Sequence, residues 1–318
     1  MEKRSCYQQL SLIEYYGLVK NIAENRRQEL QILFNLLIKK FGDKDWSLIL
    51  VGSDGKQERH PQSKTEVVLV YKDKQTKDQN ADKMAQVIKT LTYQATDPIE
   101  FSEIKVLADK NGENPLSFYN NQPHQCYPDR ILNADFLLGD DAVFIQAKRK
   151  TLLEAVEEGK LGKTIREELK KQLKVYKKTL TSGQYRHQIV FDENNQYYFE
   201  TDDWRNVRTG FKMGPIRAVQ RRLDLLTLNA VRCGKLIINE LVADCPSNTC
   251  ERIEFLVKRG VIDQKQEKII VEAYLWFLRE YHRIQELFKN SNRQSLISCQ
   301  FDEKEFERHR KALIDFIT

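Results

Sequence analysis

Apolar residues in the first half of the chain alternate between helical and strand spacings. Leucines recur every three or four positions within residues 8–40, which predicts an amphipathic helix. Two short apolar runs follow, WSLILV at 46–51 and EVVLVY at 66–71, and their β-branched content predicts buried strands. A helical pattern at 79–95 and an alternating run, PIEFSEIKVLA at 98–108, predict another helix and a third strand.

The second half of the chain is dominated by helical periodicity. Residues 109–130 are rich in Asn, Gly, Pro and Asp and predict a loop, whereas 141–181 predict helix with one apolar face and one lysine-rich face. The polar stretch 185–204 contains an Asn-Asn turn signal and predicts a loop or a small hairpin. Helical patterns then occupy 264–290 and the last sixteen or so residues.

Two helix starts carry capping signals. Asn248 or Thr249 stands in a capping position before CERIEFLVKRG, and Asp302 precedes the final helical run. We expect Asp140 or Asp141 to cap the helix that follows them.

The change in pattern near residue 150 predicts an α+β protein: a mixed sheet with helices, followed by an all-α helical bundle. We therefore expect an N-terminal helical segment at 1–40 packed on an α/β domain at 41–150, and a helical domain at 151–318.

The amino-acid composition indicates a globular protein but does not indicate its function. The 318 residues are 41% hydrophobic and 31% charged, which is typical of a globular chain, and the net charge of +6 is mild. The lysine-rich face at 170–178 lacks interleaved aromatic residues, so a solvated helix surface is favoured over a nucleic-acid site. The six cysteines form no CxxC pair and predict reduced thiols.

The sequence contains neither a signal-peptide pattern at its start nor an apolar stretch long enough for a membrane span. We therefore expect a cytoplasmic protein with no membrane partner. The histidines are scattered, and none is paired with another at a spacing typical of metal ligands.

The segment between the two predicted strands is the strongest candidate for chemistry. A strand followed by Gly-Ser and then a helix offers backbone N–H groups to a phosphate, and Gly52 and Gly55 allow close approach. The spacing excludes a Walker A loop, because Lys56 is followed by Gln57 and the two glycines are too close together.

The same segment resembles the nucleotidyltransferase superfamily, in which G-S-x-G-R-x-E precedes S-D-x-D on the next strand. The residues that align with the first part are Gly52, Ser53, Gly55, Lys56 and Glu58, with Lys56 in place of Arg. Those that align with the second part are Ser63, Lys64, Thr65 and Glu66. The resemblance is closest to the amino-terminal part of protein-PII uridylyltransferases and to related bacterial nucleotidyltransferase-like proteins.

Weaker similarities continue along the chain, over roughly residues 20–318. ILNADFLLGDDAVF is similar to the D-x-R-x-x-x-G-D segment of the family, with Phe136 where Arg is usual. NVRTGFKMGPIRAVQ is similar to N-x-K-x-x-x-G-G-L-R-D-x-Q, with a short insertion and with Pro215 and Ala218 as departures. The order and spacing of these segments support the resemblance more than any one of them does.

This resemblance implies a specific chemistry. Family members transfer a nucleoside monophosphate from a nucleoside triphosphate to a hydroxyl group, with Mg²⁺ held by two or three carboxylates. It implies a nucleotide site at Gly52, Ser53, Gly55 and Lys56, to which Lys212 and Arg217 could add phosphate contacts; otherwise these two are surface charges. The acceptor would be a protein or a small molecule, and a regulatory protein is a further expected partner.

The candidate site departs from the family at its first metal-binding carboxylate, where this chain has Lys64. Strand alternation predicts that Lys64 and Glu66 project to the same face, so an ammonium group would stand where a divalent ion is expected. A further acid for the metal would be Glu100 or Glu103 on the third strand.

Three hypotheses follow. The favoured one is a degenerate transferase that binds a nucleotide or a protein partner with weak or no transfer activity. In the second, the protein is an active nucleotidyltransferase with one metal on Glu66 and with Lys64 replacing the charge of the other. In the third, Lys64 and Glu66 are an ordinary surface ion pair and no nucleotide binds. Glu58 is interpreted as a carboxylate at a helix start rather than a catalytic residue.

Overall fold

The computed structural model describes residues 10–60, 63–95, 99–108, 132–182, 189–191, 197–201, 208–290 and 297–318. Its helices and strands fall into two compact units. The first unit comprises Leu18–Arg166 and Thr227–Phe255, and the second comprises the described parts of Met1–Gly17, Glu167–Leu226 and Leu256–Thr318.

The first part of the chain contains a four-stranded mixed sheet and its helices. In chain order the elements are α1 (Leu12–Phe41), β1 (Trp46–Val51), the short helix α2 (Gly52–Gly55), β2 (Thr65–Asp73), α3 (Lys74–Gln94), β3 (Ile99–Ala108), β4 (Asp135–Gly139) and α4 (Asp141–Val156).

The remaining elements are mostly helical. They are α5 (Lys160–Ser182), β5 (Ile189–Phe191), β6 (Tyr197–Thr201), a π-helical segment (Arg208–Ile216), α6 (Arg217–Arg232), α7 (Ile238–Asp244), α8 (Thr249–Lys258), α9 (Gln264–Asn290), β7 (Ile297–Phe301) and α10 (Glu303–Ile317).

The mixed sheet has the strand order β3-β2-β1-β4. Strand β1 pairs antiparallel with both β2 and β4, whereas β2 pairs parallel with β3 across the α3 connection. All six residues of β1 are buried, which agrees with the prediction of a buried strand from its continuous apolar run.

Both faces of this sheet are covered by helices. On one face, Leu48, Leu50, Val67 and other alternate strand residues pack with apolar side chains of α1 and α3. On the opposite face, the intervening residues Ile49, Val51, Val68 and Val70 pack with α4. The alternation places every second strand side chain on the same face, so Glu66 belongs to the α4 face.

The α+β class is confirmed, but the prediction of an all-α bundle after residue 150 is wrong. Strands β5, β6 and β7 form an antiparallel sheet in the second unit, and β5 and β6 are the small hairpin that the sequence left open. The third strand of this sheet comes from residues 297–301, so its pairing is non-local and has no periodic signal in the sequence.

The two units differ from the contiguous division at residues 40 and 150. The points where the chain changes unit lie inside α1, α5, α6 and α8. Because helical periodicity continues through those points, the sequence pattern does not mark them.

The three predicted helix caps are confirmed. Asp140 caps α4 by accepting from the Ala142 N–H, Asn248 caps α8, and Asp302 caps α10. Among the described side chains, Cys233, Cys245 and Cys250 are free thiols. No helix in the described ranges is long and apolar enough to cross a membrane. The predicted loop at 109–130 lies outside the described residues.

Candidate functional site

The Gly52–Ser53 turn lies directly after β1 and is half exposed. Gly52 has a φ of +68°, a left-handed conformation that glycine adopts without a steric penalty. A Cβ atom at this position would lie 3.4 Å from Oε2 of Glu66, so the Glu66 carboxylate stands against the turn. Val51 and Glu66 are register partners in the β1–β2 ladder, which explains this placement.

Gly55 is required by packing rather than by access to a ligand. A Cβ atom there would lie 2.4 Å from the carbonyl oxygen of Asn133 and 2.7 Å from that of Leu50. Both neighbours are backbone atoms, which cannot rotate out of the way. The second glycine of the motif therefore lets the turn pack against β1 and the residues before β4.

Asp54 and Arg59 form a buried ion pair beneath the turn. Nη1 of Arg59 donates to the Asp54 carboxylate oxygens at 2.9 and 2.8 Å, and to Oγ1 of Thr65 at 2.9 Å. Nε of Arg26, on α1, donates to the same Thr65 hydroxyl at 3.3 Å. Burial raises the pKa of Asp54, and the Arg59 guanidinium opposes that increase.

Lys56 and Glu58 connect the turn to the N-terminal end of α8. The Asn248 side-chain amide donates to the carbonyl oxygen of Lys56 at 3.0 Å, and the Thr249 N–H donates to Oε1 of Glu58 at 3.1 Å. The side chains of Lys56 and Glu58 are 6% and 5% exposed. Glu58 thus does lie at a helix start, as interpreted from the sequence, but the helix is one that begins 191 residues later.

Lys64 and Glu66 occupy different surroundings. Lys64 is exposed and precedes β2, which begins at Thr65, whereas Glu66 is a half-buried strand residue. The prediction that both project to the same face depended on strand alternation at both positions. That argument applies to Glu66 but not to Lys64, which lies outside the strand.

The register of β3 distinguishes the two acids proposed as further metal ligands. Glu100 is the register partner of Glu66, and Glu103 is the partner of Val68, beyond an irregularity in the ladder. Glu100 is therefore the acid on β3 that lies directly across from Glu66 along the backbone.

Lys212 and Arg217 belong to the second unit. The ammonium of Lys212 lies 5.5 Å from the centroid of the Tyr281 ring, a distance typical of a cation–π contact. Arg217 donates to the side-chain oxygen of Gln220 at 3.3 Å. Both residues thus have partners within their own unit.

Asp135 is a polar residue near the turn that the sequence analysis did not select. Nη1 of Arg27 donates to its carboxylate at 2.6 Å. Burial raises the pKa of Asp135, while Arg27 and a hydrogen bond with the Gln57 side chain oppose the increase. An acid that opens a short apolar strand, DFLLG, was the available signal.

The acids around the turn differ in their surroundings. Within the ranges that the structure covers, no three His, Cys, Asp or Glu residues are grouped so that they could hold one ion. Asp54 and Asp135 face arginines, and Glu58 faces a helix N–H. The carboxylate of Glu66 lies against Gly52.

No family model matches the chain, and comparison with curated proteins found no significant match.

Proposed function

We propose that this chain is a nucleotidyltransferase-fold protein that binds a nucleoside triphosphate at the Gly52–Ser53 turn and has weak or no transferase activity. The observation that carries the proposal is the position of the Glu66 carboxylate against Gly52. The sequence resemblance implies a Gly-Ser turn with an acid on the following strand close to it, and the left-handed Gly52 and the antiparallel β1–β2 pairing bring Glu66 to such a turn.

The topology supports the same proposal. A β1–turn–β2 hairpin, followed by a helix and a parallel β3, gives a mixed sheet in which β1 and β2 are central. In such a sheet the turn after β1 and the start of β2 lie at the same end, so Ser53 and Glu66 serve one ligand. Gly52 and Ser53 are half exposed, and their backbone N–H groups would bind phosphate oxygens.

Weak or absent transfer follows from what surrounds the turn. Charged residues around the turn are used internally: Asp54 pairs with Arg59, and Glu58 of the motif binds the start of α8. Lys64, at the position of the first metal-binding acid, is exposed and cationic. An ammonium group can contact a phosphate directly but cannot coordinate Mg²⁺, so binding without metal is the favoured mode.

The alternative is an active enzyme that transfers a nucleoside monophosphate to a protein or small-molecule hydroxyl. The register pairing of Glu66 with Glu100 favours it, because two adjacent strands then each supply an acid at the same level. In that case Glu66 and Glu100 would hold one Mg²⁺, which would neutralise the phosphates. An acceptor or regulatory protein is a partner under either proposal.

Calorimetric titration with ATP and with UTP, each with and without Mg²⁺, tests the proposal. We expect metal-independent binding of at least one nucleotide, weakened about tenfold or more by Gly52→Val, whose side chain would crowd Glu66 and strain the turn. Gly159→Val is a matched control, because a Cβ at Gly159 has no neighbour within 4 Å.

The outcomes separate the hypotheses. Binding that requires Mg²⁺, together with pyrophosphate release that Glu66→Gln abolishes, would support the active enzyme. Failure of both nucleotides to bind, with and without metal, would reject the nucleotide proposal altogether. Equal losses of affinity in Gly52→Val and Gly159→Val would show that the turn is not the site.

A further inference from the structure

A groove of about 740 Å³ lies between α1 and α3 in the first unit. It is lined by Leu36, Lys40, Phe41, Asn80, Lys83, Gln86, Val87, Thr90 and Leu91. None of these residues belongs to the Gly52 turn or to its hydrogen-bonding partners. A ligand bound in this groove would therefore occupy a site distinct from the proposed nucleotide site.

The lining combines apolar surface with positive charge. Four of the residues are large apolar side chains, three are neutral and polar, and the two charged ones are both lysines. Lys40 and Lys83 are exposed. A ligand that complements this lining carries apolar groups along its length and negative charge beside them.

The apolar surface extends along both walls beyond the groove. Ile32, one helical turn before Leu36 on α1, is 79% exposed, and Tyr93, three residues after Thr90 on α3, is 90% exposed. Residues three or four apart share a helix face, so each lies in line with a wall residue. Large apolar side chains that are this exposed are typical of a contact surface when they adjoin a groove.

The length of the α3 wall accommodates a short helix of a partner protein. From Asn80 to Tyr93 the α3 wall spans about 20 Å at 1.5 Å per residue, close to the length of a helix of about 14 residues. An amphipathic helix laid between two helices buries one apolar stripe and keeps its polar side in water.

We propose that the α1–α3 groove is a docking site for an amphipathic helix of a partner protein, with acidic residues that pair with Lys40 and Lys83. The apolar stripe of that helix contacts Leu36, Val87 and Leu91, and one of its ends reaches Ile32 and Tyr93, which lie at the same end of the groove because α1 and α3 run antiparallel. Charge complementarity sets the preference for acidic partners, and the apolar contacts supply most of the affinity.

Fluorescence anisotropy with three labelled peptides of about 18 residues tests the proposal. The first has leucines at i, i+3, i+4 and i+7 flanked by glutamates, the second has lysines in place of the glutamates, and the third is a scrambled acidic peptide. We expect the first to bind at least tenfold more tightly than the other two.

Charge reversal supplies the matched variants. Lys40→Glu with Lys83→Glu should weaken the acidic peptide at least tenfold and strengthen the lysine peptide. Lys174→Glu with Lys178→Glu on α5 makes the same change in net charge at exposed positions and should leave both affinities unchanged. Leu36→Ser with Tyr93→Ser should lower the affinity for both peptides. Both positions are exposed, so the protein should still fold.

Four results would overturn the proposal. In the first, the acidic peptide fails to bind, and in the second, the two charge reversals have equal effects on its affinity. In the third, the scrambled acidic peptide binds as tightly as the patterned one. In the fourth, dodecanoate displaces the bound peptide fully at a concentration below that at which the unlabelled peptide does so. Light scattering adds a fifth: a dimer that Lys40→Glu with Lys83→Glu dissociates would assign the groove to a second copy of the chain.

Discussion

The carboxylate of Glu58 accepts a hydrogen bond of 3.1 Å from the backbone N–H of Thr249, the first residue of α8. The neighbouring Asn248 caps the same helix end through its own side-chain oxygen, which accepts from Cys250 and Glu251. One helix start thus receives a local cap and a second acceptor from the turn after β1. This contact uses a residue of the motif for stability rather than for chemistry.

Replacing Glu58 with alanine should lower the free energy of unfolding by about 2 kcal/mol, because a buried helix N–H loses its acceptor and the helix end loses a favourable charge. Glu58→Gln keeps an oxygen acceptor and should cost about 1 kcal/mol. Urea denaturation measures both. Glu167→Ala, at a 71% exposed side chain, is the control and should change stability by less than about 0.5 kcal/mol. Equal effects of Glu58→Ala and Glu167→Ala would contradict the assigned role.

Two glycines should respond oppositely to alanine. Gly55→Ala should destabilise the protein by about 3 kcal/mol or more, since the added Cβ would lie 2.4 Å from the backbone oxygen of Asn133. Gly17→Ala, in the exposed part of α1 with no neighbour within 4 Å, should stabilise it by about 0.5–1 kcal/mol. Thermal unfolding of the two variants beside the parent chain checks the signs. A neutral Gly55→Ala would mean that the turn does not pack as described.

His309 should make stability depend on pH. Burial, with a smaller contribution from Arg308, lowers the pKa of His309 from 6.5 to about 4, although Glu305 opposes the shift. Its ring stacks on Trp276 at a centroid distance of 5.4 Å. Between pH 6.5 and pH 4 the His309 imidazole is protonated in the unfolded chain but mostly neutral in the folded chain. Stability that is fully present above pH 6.5 is therefore lost as the pH falls towards 4.

The loss assigned to His309 should reach about 2–3 kcal/mol near pH 4.5. Urea denaturation at pH 7 and pH 4.5 of the parent chain and His309→Gln measures it, because the carboxylates that also titrate are common to both. The variant should lose less stability on acidification than the parent chain. Identical losses in the two proteins would show that His309 does not carry this pH dependence.

Lys64→Asp tests whether position 64 contributes to the proposed nucleotide site. If position 64 borders the proposed site, replacing the ammonium with a carboxylate should increase Mg²⁺-dependent affinity for ATP by about tenfold, because the site then has an acid there in addition to Glu66. Lys44→Asp, another exposed coil lysine, makes the same charge change elsewhere. If both variants leave the metal dependence untouched, position 64 lies outside the site.

The local pattern predicted most of the secondary structure. The strands at 46–51 and 65–73 followed from apolar β-branched runs, and the helix at 264–290 from a sustained apolar stripe. The cap at Asp302 could be predicted from the sequence because its carboxylate accepts a hydrogen bond from the N–H of Glu305, only three residues later. These features depend on interactions between near neighbours, which a sequence displays directly.

Pairing between strands that are distant in sequence could not be predicted in the same way. The small sheet joins strands near 190 and 200 with one at 297–301, and the division into two units lies within continuous helices. Short strands in polar surroundings have little periodicity, so partners distant in sequence decide whether they form.

At the candidate site, the sequence by itself predicted the Gly-Ser turn after a strand and the acid on the second strand. Only the tertiary structure decided which charged residues in and beside the motif remain accessible: Arg59 is 1% exposed and Glu58 5%, while Lys64 is exposed. The reason is energetic. A charged side chain enters the interior only where the fold supplies its partner, as Asp54 does for Arg59 and Thr249 does for Glu58.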